Sequence, residues 1–154
     1  MTVRGLISHI DLNVSDPGRS IPFYGLVLEH LGFRRYWVEP VDGRASLTDA
    51  QAEDRCAWWI TYGGGATFGI EIRPPARTAP RSHHERYSPG IDHLALHGAG
   101  PEDVDSLHAA LVAGGIDVAE PPREYDYSPG YYAVAFDDPD GMRIEVVYEP
   151  ASNP

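Results

Sequence analysis

Two histidines and two glutamates recur at matching places in the two halves of this chain. The first half opens on Ser8-His9-Ile10-Asp11-Leu12, and eighty-four residues after His9 the second opens on Asp92-His93-Leu94-Ala95-Leu96. Each half later carries a glutamate between branched apolar residues, in Gly69-Ile70-Glu71-Ile72 and in Arg143-Ile144-Glu145-Val146. Imidazole nitrogen and carboxylate oxygen together suit zinc, nickel, iron(II), cobalt or manganese. Two of each on rigid strands leave positions open for water or substrate, which a catalytic metal requires. A lone strand histidine is ordinarily a satisfied polar residue, and a lone strand glutamate a solvated one. Their repetition in register makes His9, Glu71, His93 and Glu145 a candidate metal set, provided that the halves pack as a pseudo-symmetric pair.

The elements that must position these groups follow from periodicity. Residues 5–14 read as a strand in which Ile10, Leu12 and Val14 alternate with His9, Asp11 and Asn13. Ser15-Asp16-Pro17-Gly18 is a helix entry with Ser15 or Asp16 as N-cap. Ile21, Tyr24, Val27, Leu28 and Leu31 then fall at helical spacing, Pro22 is expected in the first turn, and Gly32 stops the helix. Strands are expected at 33–39, 56–62 and 66–73, with Gly63-Gly64-Gly65 as a hairpin turn. The cycle repeats with a strand at 91–97, a helix opened by Gly100-Pro101-Glu102-Asp103 and ended by Gly114-Gly115, and strands at 116–119, 131–136 and 142–148. That helix is expected to bury Val104, Leu107, Leu111 and Ala110. From His9 to Gly32 is 23 residues, and from His93 to Gly115 is 22.

The expected fold is therefore α+β: two βαβββ modules forming a cupped, barrel-like mixed sheet with helices outside. Residues 1–154 form one domain, with a first module over 1–75, a Pro-, Arg-, His- and Ser-rich linker over 76–90 and a second module over 91–150. On this reading all four candidate ligands lie on the faces opposite the helices.

The composition narrows the function classes. The chain has 154 residues, 42% of them hydrophobic, enough to build a core. A formal charge of −11 argues against nucleic acid or an anionic membrane surface as partner. The single Cys56 rules out an internal disulfide and a cysteine-based zinc site, and reads as an inert buried thiol. No apolar run is long enough to span a bilayer, and a cytoplasmic location is expected.

Further residues are candidates for the pocket wall. His83-His84-Glu85-Arg86-Tyr87 precedes the second histidine strand, where His84 or Tyr87 could hydrogen-bond a substrate. Glu124-Tyr125-Asp126-Tyr127-Ser128-Pro129-Gly130-Tyr131-Tyr132 is rich in tyrosine, and Tyr127 and Tyr131 could line an apolar pocket with polar tips. Trp58 and Trp59 must point in opposite directions. Arg73 and Arg143 share the glutamate face, where each could meet an anionic substrate or a neighbouring acid. Asp11 and Asn13 stand beside His9 as candidate orienting partners. No residue points to glutathione, to a phosphate loop or to a nucleophilic triad.

The runs His9-Ile10-Asp11-Leu12-Asn13-Val14 through Phe23-Tyr24, Gly90-Ile91-Asp92-His93-Leu94-Ala95-Leu96 and Asp138-Pro139-Asp140-Gly141-Met142-Arg143-Ile144-Glu145 together resemble the vicinal oxygen chelate superfamily. It includes glyoxalase I, extradiol dioxygenases, methylmalonyl-CoA epimerase and bleomycin- or fosfomycin-resistance proteins. The Asp-Pro-Asp-Gly turn leading into a strand with an inward glutamate is the most specific of the three pieces. The resemblance implies paired βαβββ modules, with the metal ligands of glyoxalase-like members falling on His9, Glu71, His93 and Glu145.

It implies, further, a divalent-metal-dependent lyase or isomerase acting on a small metabolite with vicinal oxygens. In such an enzyme the metal stabilises an enediolate-like intermediate, and Glu145, ahead of Glu71, carries the proton. Two alternatives stay open. One is an extradiol-type dioxygenase using iron(II), two histidines and one glutamate. The other is a metal-independent, antibiotic-binding protein of the bleomycin-resistance kind, which the acidic charge would suit. A homodimer, with modules exchanged between subunits as one form of it, is also implied.

Overall fold

In the computed structural model, which describes residues 6–37, 55–61, 65–74, 84, 87 and 89–150, each half builds one helix and one four-stranded mixed sheet. The first half runs β1 (His9–Asn13), α1 (Pro17–His30), β2 (Arg34–Trp37), β3 (Cys56–Thr61) and β4 (Thr67–Arg73). The second runs β5 (His93–His97), α2 (Pro101–Ala113), β6 (Glu120–Glu124), β7 (Tyr132–Asp137) and β8 (Arg143–Tyr148). The sheets have the orders β1-β4-β3-β2 and β5-β8-β7-β6, so the connectivity is βαβββ twice over, and no described strand pairing closes a barrel. The chain divides into two compact units, Met1–Arg81 and Ser82–Pro154. None of the described helices is long and apolar enough to cross a membrane.

The two helices end alike. Gly32 (φ +85°) lets Phe33 N–H donate to the Leu28 carbonyl at 2.9 Å, and Gly115 (φ +72°) lets Ile116 N–H reach Leu111 at 3.0 Å. Both are left-handed closures that satisfy otherwise orphaned carbonyls, and a Cβ there would be strained. They begin differently. Asp16 caps α1 by accepting from Gly18 N–H at 2.9 Å, whereas Gly100 offers α2 no side chain and Asp103 reaches back to Ala99 N–H at 2.8 Å.

Alternation divides each sheet as expected. Ile70 and Ile72 are buried with Trp58, Val27 and Leu28 beneath α1, and Ile144 and Val146 with Phe136, Val104, Leu107 and Leu111 beneath α2. Ala110 is only half-buried.

Three expectations need correction. Helix α1 starts at Pro17, so Pro22 lies in its second turn and removes one helical hydrogen bond. Ser20 and Phe23 join the buried face of α1, while Ile21 and Leu31 remain half-buried, because the packed face is the one that carries Ser20, Tyr24, Val27 and Leu28. Residues 116–119 are not a strand. The sixth strand is Glu120–Glu124 instead, in spite of Pro121 and Pro122, because it lies at the sheet edge and shifts register between Glu120 and Arg123. Proline is tolerated where no ladder hydrogen bond is demanded of it. Gly63 and Gly64 of the expected hairpin turn, and His83, Glu85 and Arg86, lie outside the described residues.

Candidate metal centre

The turn before β8 positions the second glutamate. Asp138 is buried, and its Oδ1 accepts from Asp140 N–H at 2.9 Å and Met142 N–H at 2.8 Å, while Gly141 takes φ +86°. The carboxylate thus replaces the missing ladder of the turn, and β8 leaves it in one register. Parallel pairing with β5 sets His93 opposite Arg143 and Ala95 opposite Glu145. In the first unit His9 stands opposite Gly69 and Asp11 opposite Glu71. Each histidine is therefore two residues before the partner of its glutamate, on the same sheet face. The two units repeat this placement residue for residue.

The surroundings of the two pairs differ. His93 Nε2 lies 3.3 Å from Glu145 Oε2, and His93 Nδ1 lies 2.9 Å from Asp92 Oδ2. An ionised Asp92 can only accept, so it holds the proton on Nδ1 and turns the Nε2 lone pair toward Glu145. Two lone pairs facing each other at that distance call for a cation, either a proton or a metal ion. Two donors bound about 2.1 Å from one ion would be about 3.0–3.4 Å apart at octahedral to tetrahedral angles. The 3.3 Å separation fits. Glu145 Oε1 accepts from the Tyr131 hydroxyl at 2.6 Å. Burial first, and then the Glu145 carboxylate, pushes that hydroxyl well above the ordinary tyrosine range, so Tyr131 stays a donor at physiological pH.

Glu71 is engaged otherwise. Its Oε1 accepts from Arg55 Nε at 3.0 Å, from Arg55 Nη2 and from Arg73 Nε at 3.0 Å, and Arg73 Nη1 reaches Asp11 Oδ2 at 3.2 Å. Two guanidiniums balance two carboxylates there. In the second unit Val147 occupies the register of Arg73 and Ala133 that of Arg55, so no guanidinium compensates Glu145 from those positions. The second pair thus fits a divalent cation, and the first meets one only by exchanging arginine for it. His9 is exposed, with Nδ1 3.4 Å from Ser8 Oγ and its ring 6.3 Å from Trp59. Asp11 turns to Arg73 and does not orient His9. Among the described residues no group of three or more His, Cys, Asp or Glu side chains gathers around one point.

The remaining candidates are placed as follows. Arg143 is buried and donates to Asp137 Oδ1 at 2.6 Å and Glu120 Oε1 at 3.1 Å. Tyr127 is exposed, stacks on Tyr125 at 5.5 Å and meets the Tyr131 ring edge-on at 5.3 Å, so the tyrosine loop forms one aromatic cluster ending at Glu145. Half-buried His84 donates its backbone N–H to the Asp140 carbonyl at 2.8 Å, which ties it to the turn before β8. Tyr87 is exposed with φ +71°. Trp58 is buried and donates to Glu29, while Trp59 lies on the opposite face. Cys56 is buried, and burial pushes its thiol up to about 11. The residues missed by sequence reasoning are Asp92, adjacent to His93 in the motif itself, and Arg55, for which the sequence carries no local signal.

The chain belongs to the Glyoxalase/Bleomycin resistance protein/Dioxygenase superfamily, whose family model matches residues 6–146. The uncharacterized protein YqjT of Bacillus subtilis (strain 168) is 28% identical over 142 residues, covering 90% of this chain and 95% of that protein. Among solved structures, a glyoxalase/bleomycin resistance protein from Albidiferax ferrireducens T118 is 28% identical with a TM-score of 0.59, covering 94% of this chain and 98% of that one. A glyoxalase/dioxygenase from Nostoc punctiforme is 25% identical with a TM-score of 0.66, covering 94% and 91%. Members of this superfamily bind small-molecule substrates, usually depend on a metal and often form dimers.

Proposed function

We propose that this chain is a divalent-metal-dependent, glyoxalase-like lyase or isomerase acting on a small metabolite with two neighbouring oxygens. His93 and Glu145 are proposed metal ligands, and His9 and Glu71, at the equivalent register, are the other two. The observation that carries the reading is the His93 Nε2 to Glu145 Oε2 separation of 3.3 Å, with Asp92 holding the far side of the imidazole. A bound divalent metal would supply Lewis acidity toward the substrate oxygens.

Glu145 is the residue assigned to carry the proton α to the carbonyl. Unlike Glu71, it is paired with a histidine and a tyrosine, not with two arginines. The Tyr131 hydroxyl orients Oε1, and Oε2, which faces His93, would exchange the proton only when it is not held by a metal. The aromatic cluster of Tyr125, Tyr127 and Tyr131 would shield this carboxylate from water and receive the apolar part of the substrate. Arg143 is proposed as a support of the pocket wall through Asp137 and Glu120, and His84 and Tyr87 as its rim.

The pairing of Glu71 with Arg55 and Arg73 favours one second reading, an iron(II) dioxygenase relying on His9, His93 and Glu145 alone. One screen separates the two. Protein reconstituted with nickel, zinc, cobalt, manganese or iron(II) is assayed on methylglyoxal hemithioacetals, on catechols with oxygen uptake, and on fosfomycin with thiols. Isomerase turnover that Glu145→Gln abolishes, with the metal retained, supports the proposal. Full turnover in Glu145→Gln removes the proton role, and iron-dependent oxygen uptake selects the dioxygenase. We also propose a homodimer, which light scattering of the metal-loaded protein tests; a monomer with full metal occupancy rejects it.

A further inference from the structure

The same face of the first sheet carries a second feature, which Ala57 separates from Glu71 along the row through Tyr36. A cavity of about 700 Å³ is lined by Arg34, Tyr36, Trp59, Thr61 and Thr67, among others. These five side chains share one sheet face: Arg34 stands opposite Trp59, Trp59 opposite Gly69, Tyr36 opposite Ala57, and Thr61 opposite Thr67. Gly69 has no side chain, and the Trp59 indole lies over it, so that a Cβ there would come within 2.7 Å of three ring atoms. The glycine therefore lets the indole lie flat as a wall.

The charge of this cavity is out of keeping with the chain. The net charge is −11, yet none of the described lining residues is acidic. Arg35, Arg55, Arg73, Arg123 and Arg143 each pair with a carboxylate. Arg34 makes no ion pair or side-chain hydrogen bond among the described residues. An unpaired guanidinium framed by an indole, a phenol and two hydroxyls is a recognition surface for a planar acid. The guanidinium takes the carboxylate in a fork, and the rings take the flat apolar part. A single cation among the described lining residues matches a monoanion. The volume falls within the range of small-ligand sites and is far larger than a bare anion requires.

We propose that this cavity is a binding site for a small aromatic or conjugated monocarboxylate, held by Arg34 and stacked against Trp59 and Tyr36. None of these residues belongs to the proposed ligand set, although Trp59 stands beside His9, and the chelator in the test separates the two readings. The test is calorimetric titration of the whole protein, in the presence of chelator, with benzoate, its neutral isostere benzamide, and acetate. Benzoate is expected to bind at least about tenfold more tightly than either. Arg34→Gln should weaken benzoate at least about tenfold and leave benzamide unchanged, Arg34→Lys should restore part of the loss, and Trp59→Leu should weaken benzoate and benzamide alike. Circular dichroism checks that the variants are folded. Equal binding of benzoate and benzamide, or benzoate affinity unchanged in Arg34→Gln, overturns the proposal. So does benzoate binding that appears only when chelator is omitted, which would locate the ligand on a metal.

Discussion

Replacing Gly69 by alanine isolates the contact that shapes the first sheet's open face. The backbone there is not in the left-handed region, so alanine is conformationally acceptable and should gain roughly 0.4–1 kcal/mol through the unfolded chain. Against that gain stands the new methyl, 2.7 Å from Cδ2, Cε2 and Cε3 of Trp59. These atoms belong to the rigid bicyclic indole and cannot yield by rotation of a flexible tip. The ring must lift, at a cost of about 1–3 kcal/mol for overpacking. The net expectation for Gly69→Ala is a destabilisation of about 1–2 kcal/mol, read from urea denaturation midpoints at unchanged slope. Trp59→Ala removes the obstacle, so adding Gly69→Ala in that background should be neutral or stabilising by up to about 1 kcal/mol. The sign change in the double-mutant cycle is the test. An equal cost of Gly69→Ala in both backgrounds would falsify the argument, and with it the picture of Trp59 as a wall laid over a glycine.

Tyr131 should remain protonated well past pH 10 in an ultraviolet difference titration, because burial and Glu145 raise its folded value above the unfolded one. Its contribution to stability is then complete below about pH 10 and is lost as the pH rises beyond that, so Tyr131→Phe should flatten the alkaline limb of the stability profile; an unchanged limb contradicts the hydrogen bond to Glu145. Cys56, pushed up to about 11, should resist thiol reagents in the native protein at neutral pH and react promptly in denaturant; rapid native labelling would mean that β3 is not buried as described. Arg55→Gln leaves the half-buried Glu71 with Arg73 alone and should cost about 1–2 kcal/mol in chemical denaturation, and no change would show the ion pair to be dispensable.

Alternation alone was enough to set His9, Glu71, His93 and Glu145 opposite Ile10, Ile70, Leu94 and Ile144, because a strand side chain has only two directions to choose between. The helices were legible for a similar reason, since Asp16, Gly32 and Gly115 carry their capping chemistry locally. The sixth strand was not legible. Ile116 and Val118 have the better intrinsic preference, but a sheet edge accepts Pro121 and Pro122 and only the assembled sheet has an edge. The same limit applies to the site. Glu71 and Glu145 look equivalent along the chain, each between branched apolar residues. What separates them is that Arg55 and Arg73 reach the first while Ala133 and Val147 stand in the corresponding places by the second. Arg34 is likewise one of twelve basic residues until the row through Trp59 and Gly69 leaves it facing a cavity with no acid among its described lining residues. Side-chain direction is a property of the local backbone and can be read from the sequence, whereas the partner of a charge depends on strands far apart in the chain, and only their pairing decides which charges meet.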